Sequence, residues 1–154
     1  MKLPIMIINS STEQQMNDII KLNEETITYG LSLSKREIMQ IIEVRNDLLK
    51  GYGRIELGTE VINKLIKSFY DSSYIQQDMY MSTLMELQEI FYYMKNETED
   101  NLSDDEIVEL LKEFFEDYCK GSIELLQGRE IELFARNQRI KYQRSDFFKG
   151  EVFR

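Results

Sequence analysis

Apolar residues recur along most of the chain at three- and four-residue intervals, the spacing of one face of an α-helix. Met16, Ile19, Ile20 and Ile27 form the first such stripe, with polar Asn23 interrupting it. Ser11-Thr12-Glu13-Gln14 reads as its cap, and Gly30 as its end. Ile38, Ile41, Ile42, Leu48 and Leu49 form the second stripe, opened by the capping box Ser34-Lys35-Arg36-Glu37 and expected to stop at Gly51. A third helix is predicted from Thr59, carrying Val61, Ile62, Leu65, Ile66 and Phe69, and "DSSY" at 71 to 74 breaks it.

The fourth segment, about Gln76 to Glu97, carries two stripes: Tyr80, Leu84, Leu87, Ile90, Phe91 and Met94, and beside them Met81, Met85 and Tyr92. A helix apolar most of the way round is usually buried, so this one is expected at the centre, or else its second stripe is an oligomer interface. The fifth, Asp104 to Cys119, has the cleanest pattern. Ile107, Leu110, Leu111, Phe114, Phe115 and Tyr118 face one way, and Glu106, Glu109, Glu113 and Glu116 the other. Gly121 ends it, Ser122 caps the short segment "IELLQ", and a last helix is predicted over about 130 to 142. "LPIMII" at 3 to 8 and the glycine-rich "GYGRIELG" at 51 to 58 are the places for extended chain. Residues 3–8 and 54–57 are a candidate two-stranded element, which alone would be marginal. Phe147, Phe148 and Val152 are too apolar for a free tail, so 143–154 is expected to dock. The pattern as a whole predicts an all-α, compact single-domain bundle of five to seven helices. One Pro, seven Gly and no tandem repeat are consistent with that.

Charge adds an asymmetry. The chain carries a net −9 over its 154 residues. Residues 86 to 117 hold twelve acids against Lys95 and Lys112, a net −10, whereas 129 to 154 hold seven bases against four acids, a net +3. An acidic balance argues against nucleic-acid binding, which draws its affinity from Lys and Arg on phosphates. The same charge leaves open an acidic, inhibitor-like mimic of nucleic acid. A basic tail folding onto the acidic stretch is the simplest use of the difference, and a tail that contacts RNA or a partner is the other. No apolar run approaches the roughly 20 residues a bilayer span needs, and nothing resembles a signal peptide, so a cytoplasmic location without membrane contact is expected.

Several chemistries are missing. The sequence has no His and one Cys, Cys119, which removes Ser-His and Cys-His nucleophile systems, thiolate zinc sites and disulfide pairing within the chain. Neither phosphate-cradling glycine motif is present. "NETEDNLSDDEI" at 96 to 107 has the length and acidity of a calcium loop. In no register does it supply the required Gly at position 6 together with ligands at the other positions. Ser103 and Glu106 within it form a capping box instead. No cofactor or metal site is expected, and Cys119 is expected to be buried as a small apolar residue.

The residue that asks most is Arg45, which falls in the middle of an apolar stripe. An Arg is rarely fully buried unless paired. Glu56 and Glu89 are its candidate partners in a core ion pair, an anion-binding pocket is the functional alternative, and snorkelling to the surface is the third. Arg136 and Asn137, in "LFARN", raise the same question. The acidic face of Glu106, Glu109, Glu113 and Glu116 is either solvated or a docking surface for a basic partner.

The segments "VRN" at 44 to 46, "GYGRIELG", "DSSYIQQDMY" at 71 to 80, "LMELQEIFYYMKNE" at 84 to 97, "LSDDEIVELLKEFFEDYCKGS" at 102 to 122 and "LFARN" at 133 to 137 resemble a family of small acidic proteins from low-GC Gram-positive bacteria, classed as a domain of unknown function. The resemblance spans most of residues 40 to 137. It implies a bacterial cytoplasmic protein and assigns no activity, ligand or site. Two function classes remain. One is a non-enzymatic interaction or accessory protein that binds a protein partner or a second copy of itself. The other is a small-molecule or anion-binding regulator, or a His-free enzyme, with a pocket around Arg45.

Overall fold

A computed structural model of the chain describes residues 10–128 and Arg136. The chain is all-α, and no strand occurs among the described residues. Helix α1 spans Ser10–Thr26, followed by a 3-10 turn at Ile27–Tyr29; α2 spans Lys35–Tyr52, α3 Glu60–Phe69 and α4 Gln77–Glu97. Helix α5, Asp104–Glu113, continues into a π-helical turn at Phe114–Tyr118, and α6 is the short Ile123–Leu126. Residues 3–8, the segment expected to be helical at 130–142, Asn137 and the tail 143–154 lie outside the described residues. The chain forms two units, up to Gln88 and from Glu89, with the division falling inside α4.

In the first unit α1 packs against α2 and α3. The stripes meet there: Ile19, Ile38, Ile41, Leu65, Ile66 and Phe69 are fully buried. The boundaries follow the caps. Ser34 Oγ accepts from Glu37 N while the Glu37 carboxylate accepts from Ser34 N, so both halves of the box at the start of α2 are made. Ser11, expected as a cap, already lies inside α1. Helix α2 runs past Gly51 to Tyr52, because the left-handed residue that closes it is Gly53 (φ 69°), not Gly51.

The link between α1 and α2 is stitched by side chains. Asn23, the polar gap in the first stripe, donates from Nδ2 to Leu33 O and accepts at Oδ1 from Leu33 N, both at 2.9 Å. Gln77 does the same for Ser32, at 2.8 and 3.0 Å. Thr26 Oγ1 donates to Leu31 O. These bonds supply the partners that a buried turn would otherwise lack, and they let Leu31 and Leu33 enter the core.

Burial along α4 follows the two stripes unevenly. Tyr80, Leu84 and Leu87 in the first unit and Ile90, Phe91 and Met94 in the second are all buried. Of the second stripe, Tyr92 is buried, whereas Met81 and Met85 are half-buried. Burial pushes the Tyr80 phenol up to about 12, with a hydrogen bond to Thr26 working in the opposite direction. At Tyr70 the push is also upward, from partial burial first and then from Glu25, Tyr29 and Asp71.

The second unit contains the acidic connection. After Glu97 the chain turns through two left-handed residues, Glu99 (φ 55°) and Asp100 (φ 61°), and reaches α5 through its completed Ser103–Glu106 capping box. Lys95 and Asp104 form an ion pair across the turn, between the last turn of α4 and the first residue of α5. Thr98 and Leu102 are buried beneath it. The acids of "NETEDNLSDDEI" therefore cap, pair or face water. Among the described residues no group of three or more His, Cys, Asp or Glu side chains is placed to hold a metal ion.

Candidate functional site

Each unit presents one unusual surface. In the first it is built around Arg45. The α2 register carries this side chain into the core, where it is 3% exposed. All three guanidinium nitrogens donate: Nε and Nη2 to Asn46 Oδ1, at 3.1 and 2.9 Å, and Nη1 to the carbonyl of Gly58. Arg45 thus clamps the far end of the loop that follows α2. The near end is fixed by Gly53 N donating to Lys50 O, and by Arg54 N donating to Leu49 O at 2.7 Å. A third tie comes from α1, where Gln15 Nε2 donates to Leu57 O at 2.8 Å.

The loop so held presents Ile55 and Leu57, which are 89% and 87% exposed, and Tyr52 at the end of α2 is exposed as well. Residues 54–57 form no strand, but side-chain exposure alternates along them: Arg54 and Glu56 are half-buried and the two aliphatic residues face water. Of the acids expected near Arg45, Glu56 lies in the loop that Arg45 clamps, and Glu89 is an exposed residue of the second unit. Arg136 is helical and exposed. An open cleft of about 330 Å³ lies elsewhere in the first unit, between α1 and α2, lined by Glu13, Met16, Asn17, Ile20, Lys35 and Met39.

In the second unit the unusual surface is made by the π-turn. On an unbroken α-helix Tyr118 would stand seven residues, nearly two full turns, after buried Leu111 and about 20° from it, inside the apolar stripe. Instead Cys119 N donates to Phe114 O at 2.8 Å, an i→i+5 bond that adds one residue to the turn. The extra residue moves every later position back around the axis. Cys119 takes the core position, 4% exposed, and Tyr118 swings out to 70%.

The expectation that Tyr118 belongs to the buried face is corrected here. Neither propensity nor spacing signals the inserted residue, although the small apolar Cys119 directly behind Tyr118 is the residue that suits the core slot. Glu106, Glu109 and Glu113 are exposed on α5, and Glu116 is half-buried inside the π-turn. The ring of Tyr118 rests 5.2 Å from that of Phe114, tilted by 41°. Helix α6 packs back on the π-turn and brings Leu125, 58% exposed, to the same part of the unit.

These features describe an all-α protein with an anchored apolar loop in one unit and an aromatic-tipped acidic helix in the other. The chain belongs to a family of unknown function (DUF6323), whose match covers residues 18–144. Comparison with curated proteins and with solved structures found no match. Among the described residues, no helix is long and apolar enough to cross a membrane.

Proposed function

We propose that the protein is a non-enzymatic, cytoplasmic interaction protein whose docking surface is the α5 face with its π-turn. The observation that carries this reading is Tyr118, 70% exposed at the end of a helix whose outer face is lined by Glu106, Glu109 and Glu113. A π-turn that exchanges a buried tyrosine for a cysteine gives up apolar burial in the isolated chain, and such turns recur at functional sites. An exposed Tyr supplies large contact area at low entropic cost and is enriched among the residues that dominate binding energy. The carboxylates around it steer and orient a partner of opposite charge. The partner that fits is a protein surface or segment with basic residues flanking an apolar pocket. The anion-pocket reading of Arg45 draws less support, because each of its nitrogens already donates within the protein.

The test is affinity capture of the tagged full-length chain from its own host at native abundance. The wild-type chain is compared with Tyr118→Ser and with Glu109→Lys/Glu113→Lys. A stoichiometric protein partner is expected. Tyr118→Ser should reduce its recovery at least about tenfold, in line with a central anchor residue. The charge reversal should also lower recovery, and added salt should weaken the wild-type complex. Melting temperatures should stay unchanged. Recovery that ignores all three changes, or a wild-type chain without a stoichiometric partner, defeats the reading.

A further inference from the structure

We propose that Tyr29 and Tyr70 form a binding corner for an alkylated ammonium group, such as the trimethylammonium head of choline. The two rings stand at 89° to each other with their centroids 5.1 Å apart. Perpendicular rings leave a right-angled recess with a π-face on each wall. Each face carries the negative part of the ring quadrupole, which attracts a cation. Tyr29 is 58% exposed and Tyr70 is half-buried, so the recess is open to water. Both rings are held from the backbone. Gly30 N donates to Ile27 O and Leu31 N to Thr26 O, which closes the 3-10 turn around Tyr29, and Tyr70 N donates to Ile66 O at the end of α3. A recess set by two anchored turns needs little ordering when a ligand enters.

The charge around the corner selects the sign of the ligand. Glu25 stands four residues before Tyr29, the spacing that puts two side chains on one helical face, and Asp71 directly follows Tyr70. Both carboxylates act on the Tyr70 phenol and raise its hold on the proton. Among the described residues no basic side chain opposes them there. The arrangement also selects the kind of cation. A metal ion needs several oxygen ligands, and no group of three or more acids among the described residues is placed to supply them. A bare ammonium is strongly hydrated, and a guanidinium is planar and stacks on a single face. An alkylated ammonium is compact, presents its charge through methyl groups and can touch both walls at once. The same head group occurs in free choline and in a trimethylated lysine side chain, and the chemistry of the corner is common to both.

Proton NMR of choline titrated with the full-length chain tests this directly. Methyl groups seated over ring faces are shifted upfield, so the choline methyl signal should move saturably, with a dissociation constant on the order of 1 mM. Tyr29→Leu should weaken binding about tenfold. Tyr29→Phe, which keeps the π-face, should change it by about twofold or less. Glu25→Gln should weaken it about threefold, as for an exposed charge pair. Tyr118→Ser should leave it unchanged, which separates this site from the α5 docking surface. A peptide carrying trimethyl-lysine is the second probe. Tighter binding than choline supports the proposal with a protein as the source of the head group; equal or weaker binding supports it with a free small molecule. No shift with either probe would overturn it. So would an equal shift with dimethylbutanol, the uncharged isostere of choline with carbon in place of nitrogen, or binding that survives Tyr29→Leu undiminished.

Discussion

Loop 53–59 in the first unit and the π-turn in the second both carry large apolar side chains into water, and they reach that state by opposite routes. The loop is irregular chain made rigid from outside. Arg45 from α2 and Gln15 from α1 hold its carbonyls, and Gly53 closes the helix before it. The π-turn is regular helix altered from inside, by one hydrogen bond that skips a residue. A side-chain clamp can be removed without moving the helices that supply it. A change of helical register alters everything downstream. The loop therefore teaches that a buried charge can act through the backbone it fixes, and the π-turn that an exposed aromatic can be a consequence of helix phase.

The largest expected effects test whether the two units rest on equally firm cores. Phe69→Ala in the first and Phe115→Ala in the second each empty a fully buried site. Each should cost about 3–5 kcal/mol in urea unfolding. A cost below about 1 kcal/mol for either would show that its unit is loosely packed and that the comparison is unequal.

Tyr80 gives a pH-dependent signature confined to the first unit. The folded protein holds the phenolic proton up to about pH 12, whereas the unfolded chain releases it near its ordinary value of 10. The contribution is intact below pH 10 and is lost as pH rises toward 12, at about 1.4 kcal/mol per pH unit for one proton. Tyr80→Phe should flatten that part of the stability profile, and an unchanged slope would remove Tyr80 as its cause.

The clamp comes next. Arg45→Met keeps most of the apolar stem and deletes the donors to Gly58 and Asn46. It should destabilise by roughly 1.5–3 kcal/mol, the range for hydrogen bonds from a charged group. It should also speed amide exchange across residues 54–58. An unchanged melting curve would mean that the loop holds itself.

The smallest effect is the sharpest for the π-turn. Deleting Tyr118 removes the inserted residue and lets Cys119 reach the same core position on a continuous α-helix. The expected cost is at most about 1 kcal/mol, with helix content kept. Deleting Lys112, which shifts the phase within the α-helical part, should cost far more. Equal costs would show that the π-turn is not a simple one-residue insertion.

Much of the chain could be read directly. The capping boxes at Ser34 and Ser103, the buried stripes of α2, α3 and α4, and the burial of Cys119 all follow from local rules. Apolar period and cap chemistry act within a few residues, and such signals survive in the sequence. Arg45 was legible as a problem but not as a solution. Its place in the stripe depends on residues 38 to 49, whereas its acceptor is a backbone carbonyl thirteen residues on. A carbonyl carries no sequence signature, so carboxylates are the partners a sequence suggests.

The same limit applies to Asn23 and Gln77, whose side chains hold the 31–33 turn. It applies most strongly to Tyr118, where periodicity assumes a constant 3.6 residues per turn and one extra residue defeats it. By itself the sequence determined the helical class, the capping boxes at Ser34 and Ser103 and the acidic face. The tertiary structure decided which polar groups hold the loop and which aromatic reaches the surface. Those outcomes depend on backbone partners and helix phase, which packing fixes and residue identity does not encode locally.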